Sequence, residues 1–192
     1  MLPMKSVCVY CSSSSAVDPH YTEAAVEFGS LLGQRGFTLV YGGASVGLMG
    51  QLAQAVQRGG GRVVGVIPQS LRDREITYEA ADELIVTRDL RERKAIMEAR
   101  ADAFVALPGG FGTLEEVLEV LTLKQLQSHA KPIIFLNTAA FYDRLLAVFE
   151  QLFEQRFTKA AYREFYQVAS HPAEALRLLD DACPPPSVTK WT

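Results

Sequence analysis

The sequence lacks three features that would each define a class of protein. No apolar run approaches the roughly 18 residues that a membrane-spanning helix needs, and the N-terminal apolar stretch is too short for a secretory signal peptide. The 19 Lys and Arg residues are outnumbered by 22 Asp and Glu, so the net charge of −3 argues against a nucleic-acid-binding protein. Three cysteines do not make a disulfide scaffold, which favours a reducing, cytoplasmic setting.

The composition is that of one globular domain. The 192 residues are 48% hydrophobic and 21% charged, which is too apolar for a disordered chain and sufficient for one continuous core. No internal repeat or linker interrupts the body of the chain. The only low-complexity segment is Pro184-Pro185-Pro186-Ser187. We therefore expect a single domain over residues 1–183 and a flexible tail over residues 184–192.

Short apolar runs alternate with helical patterns along the chain. Several runs are apolar at nearly every position, as strands covered on both faces must be. The predicted strands are Ser6–Tyr10, Phe37–Tyr41, Arg62–Ile67, Leu84–Val86, Ala103–Leu107, Pro132–Leu136 and Gln167–Ala169. Between the first two, Tyr21, Ala25 and Phe28 recur with helical spacing. This alternation predicts an α/β fold with a doubly wound, Rossmann-like parallel sheet.

Three predicted strands are followed by loops suited to a ligand, since ligands bind at the carboxyl ends of the strands in such sheets. The loops are Cys11–Ser15, Tyr41–Gly50 and Leu107–Thr113. The last two are rich in glycine, which lets the backbone approach a ligand, and each precedes a helix whose unpaired N–H groups attract an anion. Thr113 adds a hydroxyl donor there. Two such loops favour a phosphate-bearing ligand, whereas either loop alone is equally consistent with a tight turn.

The helix after the third loop carries a carboxylate with two interpretations. Thr113 and Glu116 have the spacing of a capping box, in which the Glu side chain reaches back to the helix start. The core-facing stripe of this helix is predicted to be Leu114, Val117, Leu118 and Leu121. Glu116 lies nearly opposite, on a second apolar face with Val120 and Leu123. A carboxylate between a phosphate loop and an apolar surface suits catalysis, so both interpretations stay open here.

Arg93 and Lys94 belong to a charged run that would ordinarily form a solvated helix face. Leu90, Met97 and Ala101 define a packed stripe that the two cations flank. The two side chains are therefore expected to extend from the packed face toward the strand ends.

Other reactive residue types form no recognisable centre. Neither glycine-rich loop matches the dinucleotide fingerprint or the Walker pattern, so NAD binding and ATP hydrolysis lose support. Cys8 and Cys11 have the spacing of a redox pair, but Cys8 falls mid-strand, which favours buried core thiols. The three histidines lack metal-ligand spacing, so neither a metal nor a cofactor is expected. The serine run lacks a nucleophile elbow, and Ser12 is a candidate donor to a nucleotide or sugar.

Two segments together form a specific signature. One is Pro108-Gly109-Gly110-Phe111-Gly112-Thr113-Leu114-Glu115-Glu116, and the other is Tyr41-Gly42-Gly43 followed by Gly47-Leu48-Met49-Gly50. They resemble PGGxGTxxE and YGGGxxGLMG of the Lonely Guy (LOG) family, with Ala44 replacing the third glycine of the latter. Members of this family are cytokinin-activating phosphoribohydrolases, long mislabelled as lysine decarboxylases. The resemblance covers about residues 5 to 170.

The resemblance implies roles for individual residues. Arg93 and Glu116 match the family's catalytic residues. The residues that it places around the substrate are Gly42, Gly43, Glu75, Arg93, Lys94, Thr122 and the signature segment Pro108–Glu116. Leu123 departs from the family, in which Trp commonly follows that Thr.

The resemblance also implies an activity. Family members hydrolyse the N-glycosidic bond of a nucleoside 5′-monophosphate, so we expect AMP or an N6-modified AMP to yield free base and ribose 5-phosphate. Glu116 would stabilise an oxocarbenium-like centre and orient water. The alternative is a noncatalytic nucleotide or molybdopterin-type cofactor carrier on the same fold. Family members are dimers, and the second face with Val120 and Leu123 points to a homodimer. The net charge and the absence of a long apolar run give no reason to expect a nucleic-acid or membrane partner.

Overall fold

The computed structural model describes residues 6–74 and 76–182, and its centre is a seven-stranded sheet in which every neighbouring pair is parallel. The strands are β1 (Ser6–Tyr10), β2 (Thr38–Tyr41), β3 (Arg62–Pro68), β4 (Glu83–Thr87), β5 (Ala103–Ala106), β6 (Ile133–Leu136) and β7 (Gln167–Ala169). All seven predicted strands are confirmed, and no strand end differs from its prediction by more than one residue. The predicted tail over residues 184–192 lies outside the described residues.

The strand order β4-β3-β2-β1-β5-β6-β7 places β1 at the centre of the sheet. The chain runs outward from β1 to β4 and then crosses back to β5 on the other side of β1. The order therefore reverses between β1 and β5, and a crevice opens at their carboxyl ends. This reversal is what brings the loops after β1 and β5 together.

Helices cover both faces of the sheet. They are α1 (Pro19–Gln34), α2 (Gly47–Arg58), α3 (Gln69–Arg72), α4 (Leu90–Arg100), α5 (Phe111–Gln125), α6 (Asp143–Glu154) and α7 (Pro172–Asp180), with 3₁₀ turns at Thr138–Ala140 and Ala160–Phe165. One core joins α1, α2 and α7 to the sheet, and a second joins α4, α5 and α6 to its other face. The doubly wound α/β prediction is confirmed. No helix of the described part of the chain is long and apolar enough to cross a membrane.

Helix α1 shows how the sequence produces one of these layers. Asp18 caps it by accepting a hydrogen bond from the backbone N–H of His20 at 3.3 Å. Ala25, Phe28 and Leu32 are fully buried, as their helical spacing predicts. The helix then ends before Gly36, whose φ of 70° suits glycine.

The predicted core-facing stripe of α5 is wrong in part. The buried residues of this helix are Thr113, Glu116, Val117, Val120 and Lys124. Leu118 is instead 38% exposed, and Val120 packs inside the protein's own core, so Val120 does not belong to a free second face. The polar members are buried because partners satisfy them: the Lys124 ammonium donates to the Lys131 and Phe165 carbonyl oxygens at 2.8 and 2.9 Å.

The predicted stripe of α4 is also wrong in part. Leu90 is 54% exposed, whereas Arg93 and Met97 are the buried side chains of the helix. Arg93 therefore occupies the packed stripe itself instead of flanking it. The guanidinium is carried directly into the interface between α4 and the sheet.

Candidate active site

The loops after β1, β2 and β5 enclose a cavity of about 450 Å³ at the carboxyl edge of the sheet. Its size is within the usual range for a small-molecule site. The residues that line it are Cys11, Ser12, Ser13, Ser14, Gly42, Ala44, Met49, Ile67, Leu71, Ile76, Arg93, Gly110, Phe111, Gly112, Thr113 and Glu116. The lining consists of loops rich in glycine and serine, one apolar wall and one buried ion pair.

Arg93 and Glu116 form that ion pair. Arg93 Nη1 donates to Glu116 Oε1 at 2.6 Å, and the two side chains are only 9% and 7% exposed. Arg93 Nε donates to the Val66 carbonyl oxygen of β3 at 3.0 Å, so the guanidinium is held from two sides. Asp89 caps α4 by accepting from the N–H groups of Arg91 and Glu92 at 2.9 Å, which fixes the helix turn that carries Arg93. Two helices and a strand thus hold one charged pair at the cavity wall.

The environment of Glu116 sets its acidity. Burial is the largest influence and raises the pKa of the Glu116 carboxyl above its ordinary value, while the positive charge and hydrogen bond of Arg93 act in the opposite direction. The net direction is upward. A carboxylate that binds protons more readily than a solvated Glu is a better general base near neutral pH.

The capping-box interpretation of Glu116 is wrong. Helix α5 begins at Phe111 with Gly110 as its N-cap, and no side chain caps it. Thr113 is therefore inside the first turn, and the Glu116 carboxylate faces Arg93 instead. This first turn has no side-chain cap and its residues Gly110–Thr113 line the cavity, and the unpaired N–H groups of a helix N-terminus are groups that bind anions.

The glycines of the β5 loop shape this helix start. A Cβ on Gly110 or Gly112 would meet no atom within 4 Å, so the backbone there is open to a ligand. A Cβ on Gly109 would lie 2.1 Å from Thr113 Oγ1, so the missing side chain makes room for Thr113. Phe111 is 93% exposed at the mouth of the cavity.

The serine loop after β1 is tied to both neighbouring loops. Ser12 donates its backbone N–H to the Pro108 carbonyl oxygen at 3.3 Å, and its own carbonyl accepts from the Met49 N–H at 3.4 Å. Its hydroxyl accepts from the Ser14 N–H at 3.0 Å. These contacts hold Ser12 and Ser14 at the cavity edge beside the start of α5.

The loop after β2 is pinned by the segment 76–78. Gly43, with a φ of 76°, accepts from the Tyr78 N–H at 2.9 Å, and Ser45 donates its N–H to the Ile76 carbonyl at 2.7 Å. Ala44 forms an isolated bridge with Thr77 and is 5% exposed. This pairing places Ile76 and the methyl group of Ala44 in the cavity wall.

The structure brings some of the predicted site residues into the cavity and places others elsewhere. Those that line it are Ser12, Gly42, Arg93, Gly110, Phe111, Gly112, Thr113 and Glu116. Gly43, Pro108, Gly109, Leu114, Lys94, Glu115 and Thr122 do not line it. Lys94 is engaged instead by Glu115 and by Glu119, the latter at 2.9 Å, and so joins α4 to α5. Glu75 lies outside the described residues.

Thr122 lies on a different face of α5. It is six residues beyond Glu116, about 120° around the helix axis at 3.6 residues per turn. There it lines a smaller apolar groove with Leu118, Leu121 and residues of α6. Within this chain Thr122 is therefore separated from the cavity that holds Glu116.

Sequence reasoning missed the apolar wall of the cavity. Ala44, Met49, Ile67, Leu71 and Ile76 form it. Ile67 is the last residue of the predicted third strand and the penultimate residue of β3, at the carboxyl edge where strand ends can reach a ligand, and this position was the one available signal.

The two cysteines among the described residues, Cys8 and Cys11, are buried, as expected for core thiols. Cys8 and Cys11 belong to the separate cores on opposite faces of β1, so no disulfide can join them without disrupting the strand. Burial raises the pKa of both thiols far above the ordinary value. Among residues 6–74 and 76–182, no group of three or more His, Cys, Asp or Glu side chains is placed to hold a metal ion.

Comparison with known proteins identifies the family of this chain. Residues 49–179 match a family model described as possible lysine decarboxylase. The chain is 46% identical to the cytokinin riboside 5′-monophosphate phosphoribohydrolase LOG7 of Arabidopsis thaliana, over 92% of this chain and 82% of the relative. The chain belongs to the LOG family. Another relative, the probable phosphoribohydrolase LOGL6 of Oryza sativa subsp. japonica, is 45% identical over 94% of this LOG-family chain and 72% of its own length.

Solved structures share the fold of this LOG-family chain. A molybdenum cofactor binding protein from Rippkaea orientalis superposes with a TM-score of 0.72 at 24% identity, covering 93% of this chain and 97% of its own. The Moco carrier protein from Chlamydomonas reinhardtii gives 0.70 at 23% identity, covering 92% and 95%. At these identities the likeness establishes the fold alone, because one fold serves many functions.

Proposed function

We propose that this protein hydrolyses the N-glycosidic bond of AMP or of N6-modified adenosine 5′-monophosphates, releasing free base and ribose 5-phosphate. The observation that carries the proposal is the buried Arg93–Glu116 pair at the wall of a cavity built from two glycine-rich loops. Membership of the LOG family, whose curated relatives are named cytokinin riboside 5′-monophosphate phosphoribohydrolases, supports it.

The cavity offers a separate environment for each part of the nucleotide. The 5′-phosphate would bind the first-turn N–H groups of α5 and the hydroxyl of Thr113, with Ser12 donating from the opposite loop. The base would lie against the apolar wall that includes Met49, Ile67 and Ile76. The ribose between them would then present its anomeric carbon to Glu116.

The proposed reaction divides between the two charged residues. As the C1′–N9 bond breaks, its electron pair leaves with the purine, and positive charge develops on the sugar. The Glu116 carboxylate stabilises that charge and accepts a proton from the attacking water, whose oxygen bonds to C1′. The departing purine takes up one proton from solvent, and Glu116 then returns to solvent the proton that it accepted, so that AMP and water give adenine and ribose 5-phosphate. Arg93 holds the Glu116 carboxylate in place and counters the negative charge on the leaving group.

We further propose that the working unit is a homodimer formed through the groove between α5 and α6. Leu118 and Leu152 are 38% and 36% exposed beside this groove, and Val148 of the same helix as Leu152 is 50% exposed. Because only about a third to a half of each side chain is still exposed, covering it is worth about 0.5–1.5 kcal/mol, which a second copy of the same face provides. Thr122 lines the groove, so the substrate contact expected of it would be made in the partner's cavity.

The proposed setting is the cytoplasm, with a small-molecule nucleotide as the partner. The buried, unpaired thiols of Cys8 and Cys11 suit a reducing compartment.

Incubation with AMP, N6-isopentenyl-AMP and adenosine, followed by chromatography of the free base, tests the activity. Base should be released from the two monophosphates and poorly from adenosine, because binding of the remote phosphate positions the scissile bond. Tight nucleotide binding without any base release would instead support the noncatalytic carrier, which needs the glycine loops but not the Arg93–Glu116 pair.

A further inference from the structure

Gly42, the first residue after β2, does not need to be glycine for its backbone conformation. The glycines with positive φ are Gly36, Gly43, Gly47 and Gly60, and Gly42 is not among them. The φ of Gly42 therefore does not exclude alanine. The requirement for glycine comes from the space where a side chain would project.

That space is filled by the guanidinium of Arg93. A Cβ placed on Gly42 would lie 2.2 Å from Arg93 Nη2, a separation that real atoms do not tolerate. The next neighbours are Met49 Sδ at 3.2 Å and Cε at 3.3 Å, which are the flexible end of a side chain and need to move only a few tenths of an ångström. The serious conflict is therefore with Arg93 alone.

Arg93 cannot move away without losing a contact. Its Nε is bonded to the Val66 carbonyl oxygen at 3.0 Å and its Nη1 to Glu116 at 2.6 Å, in a site where both charged side chains are buried. Either bond, when broken, leaves a buried polar group without its partner. A methyl group at position 42 meets Nη2, at the same end of the guanidinium as Nη1, and would therefore displace Nη1 from Glu116.

We infer that Gly42 is a positioning residue that acts through Arg93, because its missing side chain is the space in which the guanidinium reaches Glu116. This assignment differs from the direct substrate contact expected of Gly42 from the family resemblance. It rests on the proposed function for its catalytic consequence, whereas the steric coupling between positions 42 and 93 does not depend on that function.

A double-mutant cycle separates the two roles. The variants are Gly42→Ala, Arg93→Ala and the combination of both, with Gly36→Ala as the control. A Cβ on Gly36 meets no atom within 4 Å, and its positive φ makes alanine strained there, so the control loses stability without contacting the site. Melting temperature, AMP affinity by calorimetry and release of adenine from AMP are measured for all variants.

We expect Gly42→Ala to lower kcat by about 10²-fold, the size of effect that a 1 Å displacement of a catalytic group produces, while Gly36→Ala keeps the kcat of the wild type. In the Arg93→Ala background the same change should alter neither the melting temperature nor the AMP affinity, because the clash has been removed. If Gly42→Ala lowers the melting temperature and the AMP affinity by as much in the Arg93→Ala background as in the wild type, Gly42 acts on the substrate or the fold directly and the inference is wrong.

The pH profile provides a readout that simple loss of stability would not move. Around Glu116, burial and Glu115 raise the carboxyl pKa, while Arg93 and Lys94 lower it. Displacing Arg93 should therefore move the acid-side midpoint of kcat/KM upward in Gly42→Ala and leave it in place in Gly36→Ala. An unmoved midpoint in Gly42→Ala would contradict the inference.

The same data distinguish this inference from the proposed function. A wild-type protein that releases no base from any monophosphate would refute the function alone. The melting temperatures of the four proteins in the cycle would still decide whether positions 42 and 93 are coupled.

Discussion

Replacing Glu116 with Gln perturbs the proposed chemistry with the smallest change of shape. The Glu116 side chain is 7% exposed and accepts from Arg93 at 2.6 Å. Gln keeps the size and one acceptor oxygen but removes the negative charge. Arg93 therefore keeps a hydrogen-bond partner and loses its counter-charge, and the proposed general base disappears.

The structural cost of this change follows from the burial of the pair. Removing one partner of a buried ion pair costs about 3–5 kcal/mol. Because the amide of Gln still accepts a hydrogen bond, we expect a loss of about 3 kcal/mol or less. At about 2–4 °C per kcal/mol for a protein of this size, Tm falls by at most about 12 °C. Native stabilities of about 5–15 kcal/mol leave the variant folded at 25 °C.

The rate measured at 25 °C then reports on the chemistry of the site. A positioned general base contributes about 10²–10⁴-fold, so we expect kcat for adenine release from AMP to fall at least about 10²-fold. Glu119→Gln is the matched control, because Glu119 is on the same helix, 41% exposed and paired only with Lys94 among the described ion pairs. Wild-type kcat in folded Glu116→Gln would refute the catalytic assignment.

Three further predictions follow from the same geometry. Because Glu116 must be ionised to act and burial raises its pKa, the acid-side midpoint of kcat/KM lies above the ordinary Glu value of 4.5. Arg93→Gln removes a positive charge that lowers this pKa and so moves the midpoint higher. A midpoint that stays in place would show that Arg93 does not set the pKa of Glu116. Thr113→Ala weakens AMP binding about tenfold or more in calorimetry and leaves adenosine unchanged, whereas equal losses for both ligands exclude a phosphate contact. Leu118→Asp combined with Leu152→Lys converts a dimer to monomers in light scattering and lowers activity, and an intact dimer contradicts the proposed interface.

The sheet was predictable because its strands are covered on both faces. Residues such as Phe104 and Val105 of β5 are fully buried, so the sequence there is apolar without alternation. Glycine-rich loops after β2 and β5 then predicted from sequence the edge of the sheet at which the cavity lies, because parallel strands present their carboxyl ends on one side.

The orientations of α4 and α5 were not predictable from hydrophobic periodicity. Arg93, Glu116 and Lys124 are polar and buried, whereas Leu90 and Leu118 are apolar and exposed. A periodic pattern assigns polar residues to solvent, and the partners that satisfy these three come from other elements of the fold. Two of these buried polar residues, Arg93 and Glu116, form the proposed catalytic pair. Functional sites are where natural sequences are expected to depart from the local hydrophobic pattern.

The conflict between Gly42 and Arg93 also lies beyond sequence reasoning. The two residues are far apart in the chain, and only the packing of α4 beside β3 brings the guanidinium to the end of β2. The sequence indicated that glycine was needed at a ligand loop, but the space it leaves serves another side chain.

The most direct test of the central claim is to run the reaction of AMP in water enriched in ¹⁸O. Hydrolysis of the N-glycosidic bond predicts free adenine together with ribose 5-phosphate whose phosphate group carries no ¹⁸O, detected by mass spectrometry. Label in inorganic phosphate with adenosine as the other product, or no product at all from a folded, nucleotide-binding protein, would contradict the account.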